Sequence, residues 1–333
     1  MSEATPMAGE PTANKDPEST AGSSGPAGPA SSAGHVGPAG PVGQAGLAGG
    51  SSLLRAEIAQ ATLRLAEAGV ASPRHDAEEL AAWVHGVRRS ELYRVADHDF
   101  DARYWEVIAR RANREPLQHI TGAAYFRYLE LAVGPGVFVP RPETEVMVGW
   151  AIDKLRALDV AEPLIVDLCT GSGAIALSIA QEVPRARVQA VELSEDAYTW
   201  AARNIAAVEA GERVTLHLTD AVAALPELDG RVDLVVSNPP YIPLTEWEYV
   251  APEARDHDPE LALFSGPDGL DLIRGLERTA QRLLKSGGWA AFEHSDKQGG
   301  EVQRIFLEER GWSEASDHRD LTNRPRFVTA RKG

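Results

Sequence analysis

Short apolar segments alternate with helical segments through the second half of the chain, and this alternation limits the fold more than any other feature. Helices are predicted over 143–158, from Ala174, from Glu195, over 269–285 and over 297–310. Strands are predicted at LIVDL (164–168), VQAVE (188–192), VTLHL (214–218), VDLVVSN (232–238), GWAAFE (288–293) and RFVTAR (326–331). Such alternation is typical of an α/β fold with a parallel, doubly wound sheet and crossover helices on its faces.

The chain before this region is predicted to be helical from Leu54 onward. Apolar residues recur at helical spacing in three segments, and the second segment begins at a Ser72-Pro73 start signal. The three buried faces are predicted to contain Leu54, Ile58, Ala61 and Leu65; Leu80, Trp83, Val84 and Val87; and Trp105, Ile108 and Ala112. We therefore expect a small helical domain over residues 51–121.

Two further segments complete the predicted organisation. Residues 122–140 contain alternating β-type residues interrupted by Gly134-Pro135-Gly136, a pattern that predicts a β-hairpin connector. Residues 1–50 consist mainly of Gly, Pro, Ala and Ser and hold too little apolar surface to offset the entropy of ordering, so a disordered tail is expected there. The α/β domain is then expected over residues 141–333.

Composition and charge exclude several classes of protein. The 333 residues include one cysteine, Cys169, so no internal disulfide can form. The spacing of His and Cys is not that of a metal site, and no metal is expected. No apolar run reaches the roughly 18 residues of a membrane-spanning helix, and the formal net charge of −16 argues against nonspecific attraction to nucleic acid. We expect a cytoplasmic monomer that does not associate with membranes.

A glycine-rich turn follows the first strand of the α/β domain. Gly171 and Gly173 let the backbone turn tightly and approach a ligand at the start of the helix from Ala174. Glu192 ends the second strand, where a carboxylate can accept hydrogen bonds from both hydroxyls of a ribose. Asp220 follows the third strand, where it can accept from an adenine amino group. These features fit a nicotinamide dehydrogenase and a methyl-donor site equally well.

The fourth strand ends in Ser237-Asn238-Pro239-Pro240-Tyr241, at the sheet edge where open α/β folds bind ligands. A planar amide or aromatic amine nitrogen is a poor nucleophile because its lone pair is delocalised. The side-chain carbonyl of Asn238 and the backbone carbonyl of Pro239 can accept from its two N–H bonds, which orients the lone pair and stabilises the developing charge. The prolines fix the turn and Tyr241 offers a flat face. The turn therefore predicts transfer of a methyl group to a planar amino group.

Four segments resemble the HemK-type glutamine N5-methyltransferases that modify peptide chain release factors. They are GVFVPRPETE (136–145), DLCTGSGAIAL (167–177), SNPPYIP (237–243) and DPELALFSGPDGLDLIRGL (258–276). The resemblance covers about residues 52–331 and includes the helical domain. The tetrapeptide N-P-P-Y is shared with nucleic-acid amino-methyltransferases, whereas the combination of PRPETE with the later D-G-L-D segment is much more specific to this family.

This resemblance implies a Rossmann-like class I methyltransferase sheet in a domain that uses S-adenosylmethionine. It also implies that the methyl group goes to the glutamine of the Gly-Gly-Gln motif in release factors, which would be the protein partners. The implied catalytic residues are Asn238, Pro239 and Tyr241, and Pro240 completes the glutamine pocket. The implied cofactor contacts are Cys169, Thr170, Gly171, Ser172, Gly173, Glu192, Asp220, Ala221 and Asn238.

This sequence departs from the family at two of the implied cofactor positions. The resemblance also implies which residues line the mouth of the site. Cys169 stands where the family usually has glycine, and Ala221 stands where it often has a bulky residue. Phe138 and Arg141–Thr144 are implied to line the mouth.

Other functions stay open at the level of the sequence. A ribosomal-protein glutamine methyltransferase or a nucleic-acid amino-methyltransferase would use the same N-P-P-Y turn. A non-catalytic cofactor-binding module would not require that turn, and a dehydrogenase leaves it unexplained. His217 and His294 are interpreted as structural, and Trp247 and Tyr249 are expected in a loop that closes over substrate.

Overall fold

The computed structural model describes residues 52–309 and 311–333, so the tail predicted over residues 1–50 lies outside the described residues. The α-helices of the described part are α1 (Ser52–Glu67), α2 (Pro73–His85), α3 (Arg103–Ala112), α4 (Leu117–Thr121), α5 (Thr144–Ala157), α6 (Ala174–Glu182), α7 (Glu195–Ala207), α8 (Pro252–His257), α9 (Glu260–Leu263), α10 (Asp271–Leu283) and α11 (Gly299–Glu308). Short 3₁₀ segments cover Arg89–Arg94, Asp97–Asp99, Glu209–Arg213, Pro226–Leu228 and Leu244–Tyr249. No helix in this part of the chain is long and apolar enough to cross a membrane.

The strands form two sheets. Their bounds are β1 (Ala123–Phe126), β2 (Leu129–Ala132), β3 (Leu164–Leu168), β4 (Arg187–Glu192), β5 (Val214–Leu218), β6 (Val232–Ser237), β7 (Leu284–Glu293), β8 (Trp312–Arg319) and β9 (Pro325–Lys332). β1 and β2 make a separate antiparallel pair, and the other strands make one sheet in the order β5-β4-β3-β6-β7-β9-β8. The first five strands of this order are parallel, as the alternation of strands and helices predicts.

The structure corrects two predictions about the strands. The sheet is mixed rather than fully parallel, because β9 runs antiparallel to both β7 and β8. β8 was not predicted, and β9 follows it after a turn too short for a parallel crossover. The turn of the β1–β2 hairpin lies at Arg127-Tyr128, where Arg127 takes a φ of +51°, and not at Gly134-Pro135-Gly136, which follows β2.

Two apolar cores lie on opposite faces of the large sheet. Successive residues of β3 alternate between them: Ile165 belongs to the core with α5 and α6, and Val166 to the core with α10 and α11. Every residue of β6 is buried because this central strand is covered on both faces. The continuous apolar runs of these strands therefore reflect burial on two sides.

The helices α1 to α3 form a third apolar core, separate from the sheet. Leu54, Leu65, Leu80 and Ile108 are almost completely buried there, in agreement with the predicted helical stripes. The prediction for Trp83 is wrong: its side chain is 47% exposed, and its indole N–H donates to the Thr121 carbonyl at 3.1 Å. The spacing of apolar residues predicts which face of a helix is apolar. It does not show whether a neighbouring helix extends far enough to cover every residue of that face.

An ionic cluster joins the helical domain to α8, which follows β6 in the sequence. Arg111 on α3 donates to Asp76 on α2 at 2.7 Å and to Glu253 on α8 at 2.9 Å. Arg114 also donates to Glu253, at 2.5 Å. Burial alone would raise the pKa of Glu253, but the hydrogen bonds from Arg114 and Arg111 outweigh it and lower the pKa to about 2.

Replacement of Arg111 by methionine should destabilise the protein by about 3 kcal/mol, because it leaves the buried Asp76 carboxylate without its cation and removes one of the two cations that hold Glu253. Urea denaturation measures this change. Arg110→Met is the matched control, since Arg110 is exposed and pairs with Glu115, and its effect should stay below about 1 kcal/mol. Equal effects of the two variants would contradict a stabilising role for the cluster.

Candidate functional site

The carboxyl ends of the five parallel strands meet at one edge of the sheet. Leu168 at the end of β3 is in register with Val191 on one side and with Ser237 on the other, and Ser237 is in register with Phe292 of β7. The chain crosses from β3 to β4 in one direction and reaches β6 on the opposite side, so the crevice between β3 and β6 is a topological switch point. Ligands of open α/β sheets bind at such a point.

The glycine-rich turn occupies the β3 side of this crevice. Three of its residues take positive φ values: Cys169 at +63°, Gly171 at +58° and Gly173 at +84°. A Cβ atom added to Gly171 would meet nothing within 4 Å, so this part of the backbone faces open space. Gly173 starts α6 and faces Leu177, and it lies behind the turn.

Cys169 keeps the left-handed backbone conformation that glycine adopts without strain. The backbone geometry of the turn thus accommodates a residue other than the family's usual glycine. Burial raises the pKa of the Cys169 thiol, and the carboxylates of Glu192 and Asp167 raise it further. This thiol is therefore a small packing group and does not act as a thiolate.

The buried carboxyl group of Asp167 holds the glycine-rich turn in place. Asp167 accepts from the Thr170 hydroxyl at 2.6 Å and from the Ala176 backbone N–H at 3.1 Å. Burial raises the pKa of Asp167 to about 7, and these two hydrogen bonds oppose the rise. The bonds connect the end of β3 to the first turn of α6 and fix the shape of the loop between them.

The carboxylate of Glu192 lies beside the turn at the end of β4. One oxygen accepts from the Gly171 backbone N–H at 2.8 Å, and the other accepts from the backbone N–H groups of Leu193 and Ser194, each at 2.9 Å. A carboxylate has about four lone-pair sites, two on each oxygen, so after these three hydrogen bonds the oxygen that accepts from Gly171 can still accept one from a ligand. Its backbone partners hold it in one orientation.

The next strand end contributes Asp220 and Ala221. Asp220 is exposed, and it accepts from the Val222 backbone N–H at 2.9 Å, which caps the turn after β5. Ala221 is 6% exposed and belongs to the core beneath. Both residues line the same cavity as Gly171 and Glu192, so the cavity extends from the glycine-rich turn to this strand end.

The Asn-Pro-Pro-Tyr turn forms the opposite wall of the crevice. The Ser237 hydroxyl before it donates to the Leu168 carbonyl at 2.6 Å, which fastens the end of β6 to the end of β3. The side-chain amide N–H of Asn238 donates to the Thr144 hydroxyl at 3.2 Å. Within residues 52–309 and 311–333, no donor reaches the Pro239 carbonyl oxygen, so this oxygen is a free acceptor, and Pro239 lines the cavity.

Tyr241 is fixed at both its ring and its backbone. Its hydroxyl donates to Glu293 at 3.3 Å, and the side-chain amide of Gln298 donates to its carbonyl at 2.9 Å. Burial raises the pKa of Tyr241, and the nearby Glu293 carboxylate adds to the rise, so the hydroxyl stays protonated and acts as a donor. The ring therefore presents a constant face to the cavity.

Glu293 ends β7 directly beside this turn and is 1% exposed. Burial raises the pKa of Glu293 to about 7, while the nearby Thr144 hydroxyl and the Arg326 guanidinium act in the opposite direction. Its Oε2 atom has no well-aligned hydrogen-bond partner among the described residues. Thr144, Glu293 and Arg326 all line the cavity.

The mouth of the site is held by a second ion pair. Arg141 stacks over the Phe138 ring at 4.8 Å and donates to Asp258 at 2.8 Å, which ties the segment before α5 to the segment after α8. The Asp258 side chain is completely buried. Burial raises the pKa of Asp258 to about 6, and the charge of Arg141 limits the rise.

One continuous cavity of about 1280 Å³ connects these parts. Apart from Gly173, all the residues expected to contact cofactor or substrate line it, and so do Phe138, Arg141, Glu143 and Thr144. Asp76, Arg111 and Glu253 of the ionic cluster form part of its wall on the side of the helical domain. In the described ranges, no group of three or more His, Cys, Asp or Glu side chains is placed to hold a metal ion.

Two histidines and two aromatic residues near the strand ends were also considered in the sequence analysis. His217 hydrogen-bonds Gln189 at 2.7 Å, and His294 is buried against Asp317 at 3.1 Å. Trp247 stacks on Phe264, with ring centroids 5.0 Å apart, and Phe264 lines the cavity. Tyr249 is 85% exposed. The two histidines thus have partners outside the crevice.

Sequence reasoning missed three carboxyl groups of the site. Glu293 ends a predicted strand at the ligand-binding edge, so the argument that found Glu192 could have found it too. Asp258 begins one of the quoted motifs, but its partner Arg141 lies far away in the sequence. No signal in the sequence points to Glu253, because its role comes from contacts across domains.

The ion pair at the mouth predicts a pH-dependent effect of Arg141→Met. Asp258 has a folded-state pKa of about 6 and an ordinary value of 3.8, so the folded state keeps a proton that the unfolded chain releases, and stability falls as the pH rises through this window. Without Arg141 the pKa of Asp258 should rise further. The variant should therefore lose about 1–2 kcal/mol more unfolding free energy at about pH 8 than at about pH 5.

Urea denaturation at the two pH values checks this expectation. In an Asp258→Asn background, Arg141→Met should lower the unfolding free energy by the same amount at both pH values, because no carboxyl remains to titrate at this position. A loss that is independent of pH in the natural background would show that the pair is not coupled as described.

Comparison with known proteins agrees with this geometry. Residues 58–122 match the model of the PrmC N-terminal domain, and residues 165–257 match a model of a methyltransferase domain. The match and the mixed seven-stranded sheet confirm the class I methyltransferase fold.

Three relatives show how far the similarity extends. A release factor glutamine methyltransferase of Streptomyces coelicolor is 75% identical over 281 residues, which are 84% of this chain and 99% of the relative. One of Mycolicibacterium smegmatis is 49% identical, over 83% of this chain and 97% of the relative. A 4-amino-L-phenylalanine/4-methylamino-L-phenylalanine methyltransferase of Streptomyces pristinaespiralis is 43% identical, over 79% of this chain and 90% of the relative. The chain belongs to the family of release factor glutamine methyltransferases.

Proposed function

We propose that this protein transfers a methyl group from S-adenosylmethionine to the N5 side-chain amide nitrogen of the glutamine in the Gly-Gly-Gln motif of peptide chain release factors. The observation that carries the proposal is the pair of acceptors at the Asn-Pro-Pro-Tyr turn, which lies in one cavity with the glycine-rich turn. The names of relatives that are 75% and 49% identical support the same substrate.

The cavity fits the proposed cofactor. The open space in front of Gly171 admits a ligand close to the backbone, and Glu192 is held with one free acceptor site for a ribose hydroxyl. Asp220 and Ala221 would lie beside the adenine, and Asn238 and the turn from Cys169 would contact the remaining part. When bound, S-adenosylmethionine supplies an electrophilic methyl group on a sulfonium centre.

The residues of the Asn-Pro-Pro-Tyr turn prepare the substrate amide. The Asn238 side-chain oxygen and the Pro239 carbonyl would accept from its two N–H bonds, so that its lone pair points out of the amide plane. These hydrogen bonds strengthen as positive charge develops on the nitrogen, and this stabilises the transition state. Tyr241 and Pro240 would hold the flat amide in place. The N–C bond would form as the sulfonium S–C bond breaks, and S-adenosylhomocysteine would leave. The nitrogen becomes acidic as it is methylated and would release one proton to solvent, so no strong base is required.

The size of the cavity supports a protein substrate. Pockets for small ligands usually measure about 300–1,000 Å³. The cavity here is about 1280 Å³ and extends from the sheet edge to the helical domain, which leaves room for a peptide loop beside the cofactor. We propose that residues 51–121 bind the release factor and that the reaction takes place in the cytoplasm, where translation ends.

A second candidate substrate is an aromatic amine. The relative from Streptomyces pristinaespiralis, 43% identical to this chain, is named for methylation of 4-amino-L-phenylalanine. An aromatic amino group is also planar and carries two N–H bonds, so the same two acceptors would serve it. The names of the two relatives that are more similar to this chain favour the release factor.

The first test is transfer of a tritiated methyl group to purified release factor. Label should appear on the factor, and it should be lost when the glutamine of its Gly-Gly-Gln motif is changed to alanine. Label on ribosomal protein, on duplex DNA or on 4-amino-L-phenylalanine instead would show that the release factor is not the substrate.

Asn238→Ala should reduce transfer by about 10²–10³-fold and leave cofactor binding largely intact. Asn113→Ala, at an exposed position after α3, is the matched control.

The orientation of Glu192 gives a separate prediction about the cofactor. In Glu192→Gln, one side-chain oxygen becomes an N–H₂ group that faces backbone N–H groups, and a ribose acceptor is lost. The affinity for S-adenosylmethionine, measured by calorimetry, should fall by about 10–100-fold. Glu195→Gln changes a carboxylate in the nearby first turn of α7 and should bind as the natural protein does. Unchanged affinity of Glu192→Gln would contradict the ribose contact.

A further inference from the structure

Two buried side chains behind the Asn-Pro-Pro-Tyr turn have no role in the proposed reaction as described so far. Thr144 is the first residue of α5 and is 3% exposed, and Glu293 is the last residue of β7 and is 1% exposed. Because Ser237 is in register with Phe292, the residues that follow them, Asn238 and Glu293, leave the sheet at the same edge. Both buried side chains line the cavity.

Each of these side chains contacts one functional side chain of the turn. The Asn238 amide N–H donates to the Thr144 hydroxyl at 3.2 Å, and the Tyr241 hydroxyl donates to Glu293 Oε1 at 3.3 Å. Glu293 Oε2 is buried without a hydrogen-bond partner among the described residues, and the Thr144 hydroxyl lowers the pKa of this carboxyl. Thr144 therefore holds Asn238, and Glu293 holds Tyr241, on the side of the turn that faces away from the substrate.

The direction of these hydrogen bonds matters because an asparagine amide has two different ends. The proposed reaction requires the Asn238 oxygen, which is an acceptor, to face the substrate. A threonine hydroxyl can donate one hydrogen bond and also accept, whereas a carboxylate, which is the form of Glu293 above its pKa of about 7, can only accept. A Thr144 hydroxyl that donates toward Glu293 can only accept from Asn238, and this turns the amide N–H₂ group away from the substrate.

We propose that Thr144 and Glu293 are positioning residues that set the orientation of the Asn238 amide and of the Tyr241 ring. This inference rests on the proposed function, because it assumes that the Asn238 oxygen accepts from the substrate amide. Glu293 determines the direction of the hydrogen bonds, and Thr144 transmits it to Asn238. Neither residue contacts the methyl group.

The first experiment removes the hydroxyl of Thr144. Thr144→Val should lower kcat for release factor methylation by about 10²-fold, as expected when a reacting group is misplaced, and leave the Kd for S-adenosylmethionine within a few-fold. Thr144→Ser keeps a hydroxyl and should restore most of the rate. Thr329→Val is the matched control, since Thr329 is also buried and its hydroxyl bonds His318 at 2.8 Å, outside the cavity.

The second experiment reverses the direction of the hydrogen bonds. In Glu293→Gln, the new side-chain oxygen can still accept from Tyr241, but the new N–H₂ group would donate toward Thr144. The Thr144 hydroxyl would then donate to Asn238 and draw the amide oxygen away from the substrate. The rate should fall as in Thr144→Val. Glu277→Gln is the control, because Glu277 is equally buried and bonds Trp312 at 2.6 Å.

A third measurement does not depend on activity. In protein labelled with ¹⁵N-asparagine, the side-chain amide signals of Asn238 are identified by their loss in Asn238→Ala. They should shift, and their hydrogen exchange should accelerate, in Thr144→Val and Glu293→Gln but not in the two controls. Unchanged signals, or full activity of Thr144→Val, would overturn the inference. A natural protein that does not methylate release factor would contradict the proposed function alone, and the amide signals would still decide on the positioning pair.

Discussion

The parallel pairing of β3 with β6 is the constraint on which the site depends. It places Leu168 beside Ser237, and the Ser237 hydroxyl donates to the Leu168 carbonyl at 2.6 Å at the point where both strands end. The glycine-rich turn and the Asn-Pro-Pro-Tyr turn therefore emerge side by side, although about 70 residues separate them. A slip of one residue in this register would turn Asn238 to the other face of the sheet.

Ion pairs between segments that are distant in the sequence then hold the mouth of the crevice and its wall on the side of the helical domain. Arg141 with Asp258 joins the two segments that are most characteristic of the family, and Glu253 joins α8 to the helical domain through Arg111 and Arg114. A buried ion pair adds little net stability compared with apolar packing, but the loss of one partner is strongly unfavourable. Such pairs therefore specify one arrangement of these segments, and the shape of the cavity depends on it.

The sequence predicted the parts that follow from local pattern and missed those that depend on long-range pairing. β3 to β6 were predicted because they are short segments rich in apolar, mostly β-branched residues between helical segments. β8 was missed because it is an edge strand with few buried residues, so its sequence, WSEASDHR, lacks an apolar pattern. The glycine-rich turn, Glu192 and Asn238 were found because each directly follows or ends a predicted strand. Glu253 and Asp258 were not, since their partners are more than 100 residues away.

The charges around the crevice suit the proposed cofactor, which carries a positive sulfonium centre. The arginines at the mouth and roof, Arg141, Arg111 and Arg114, are paired with carboxylates, so their charges are largely compensated. Glu192 and Asp220 at the strand ends have backbone N–H groups and no arginine as hydrogen-bond partners among the described residues. Arg278 and Arg326 also line the cavity, so its charge is mixed, and Glu192 and Asp220 place negative charge at the ends of β4 and β5. In the proposed reaction the donor is cationic at sulfur and the product is a neutral thioether, so any attraction between these carboxylates and the sulfonium centre would be lost after transfer.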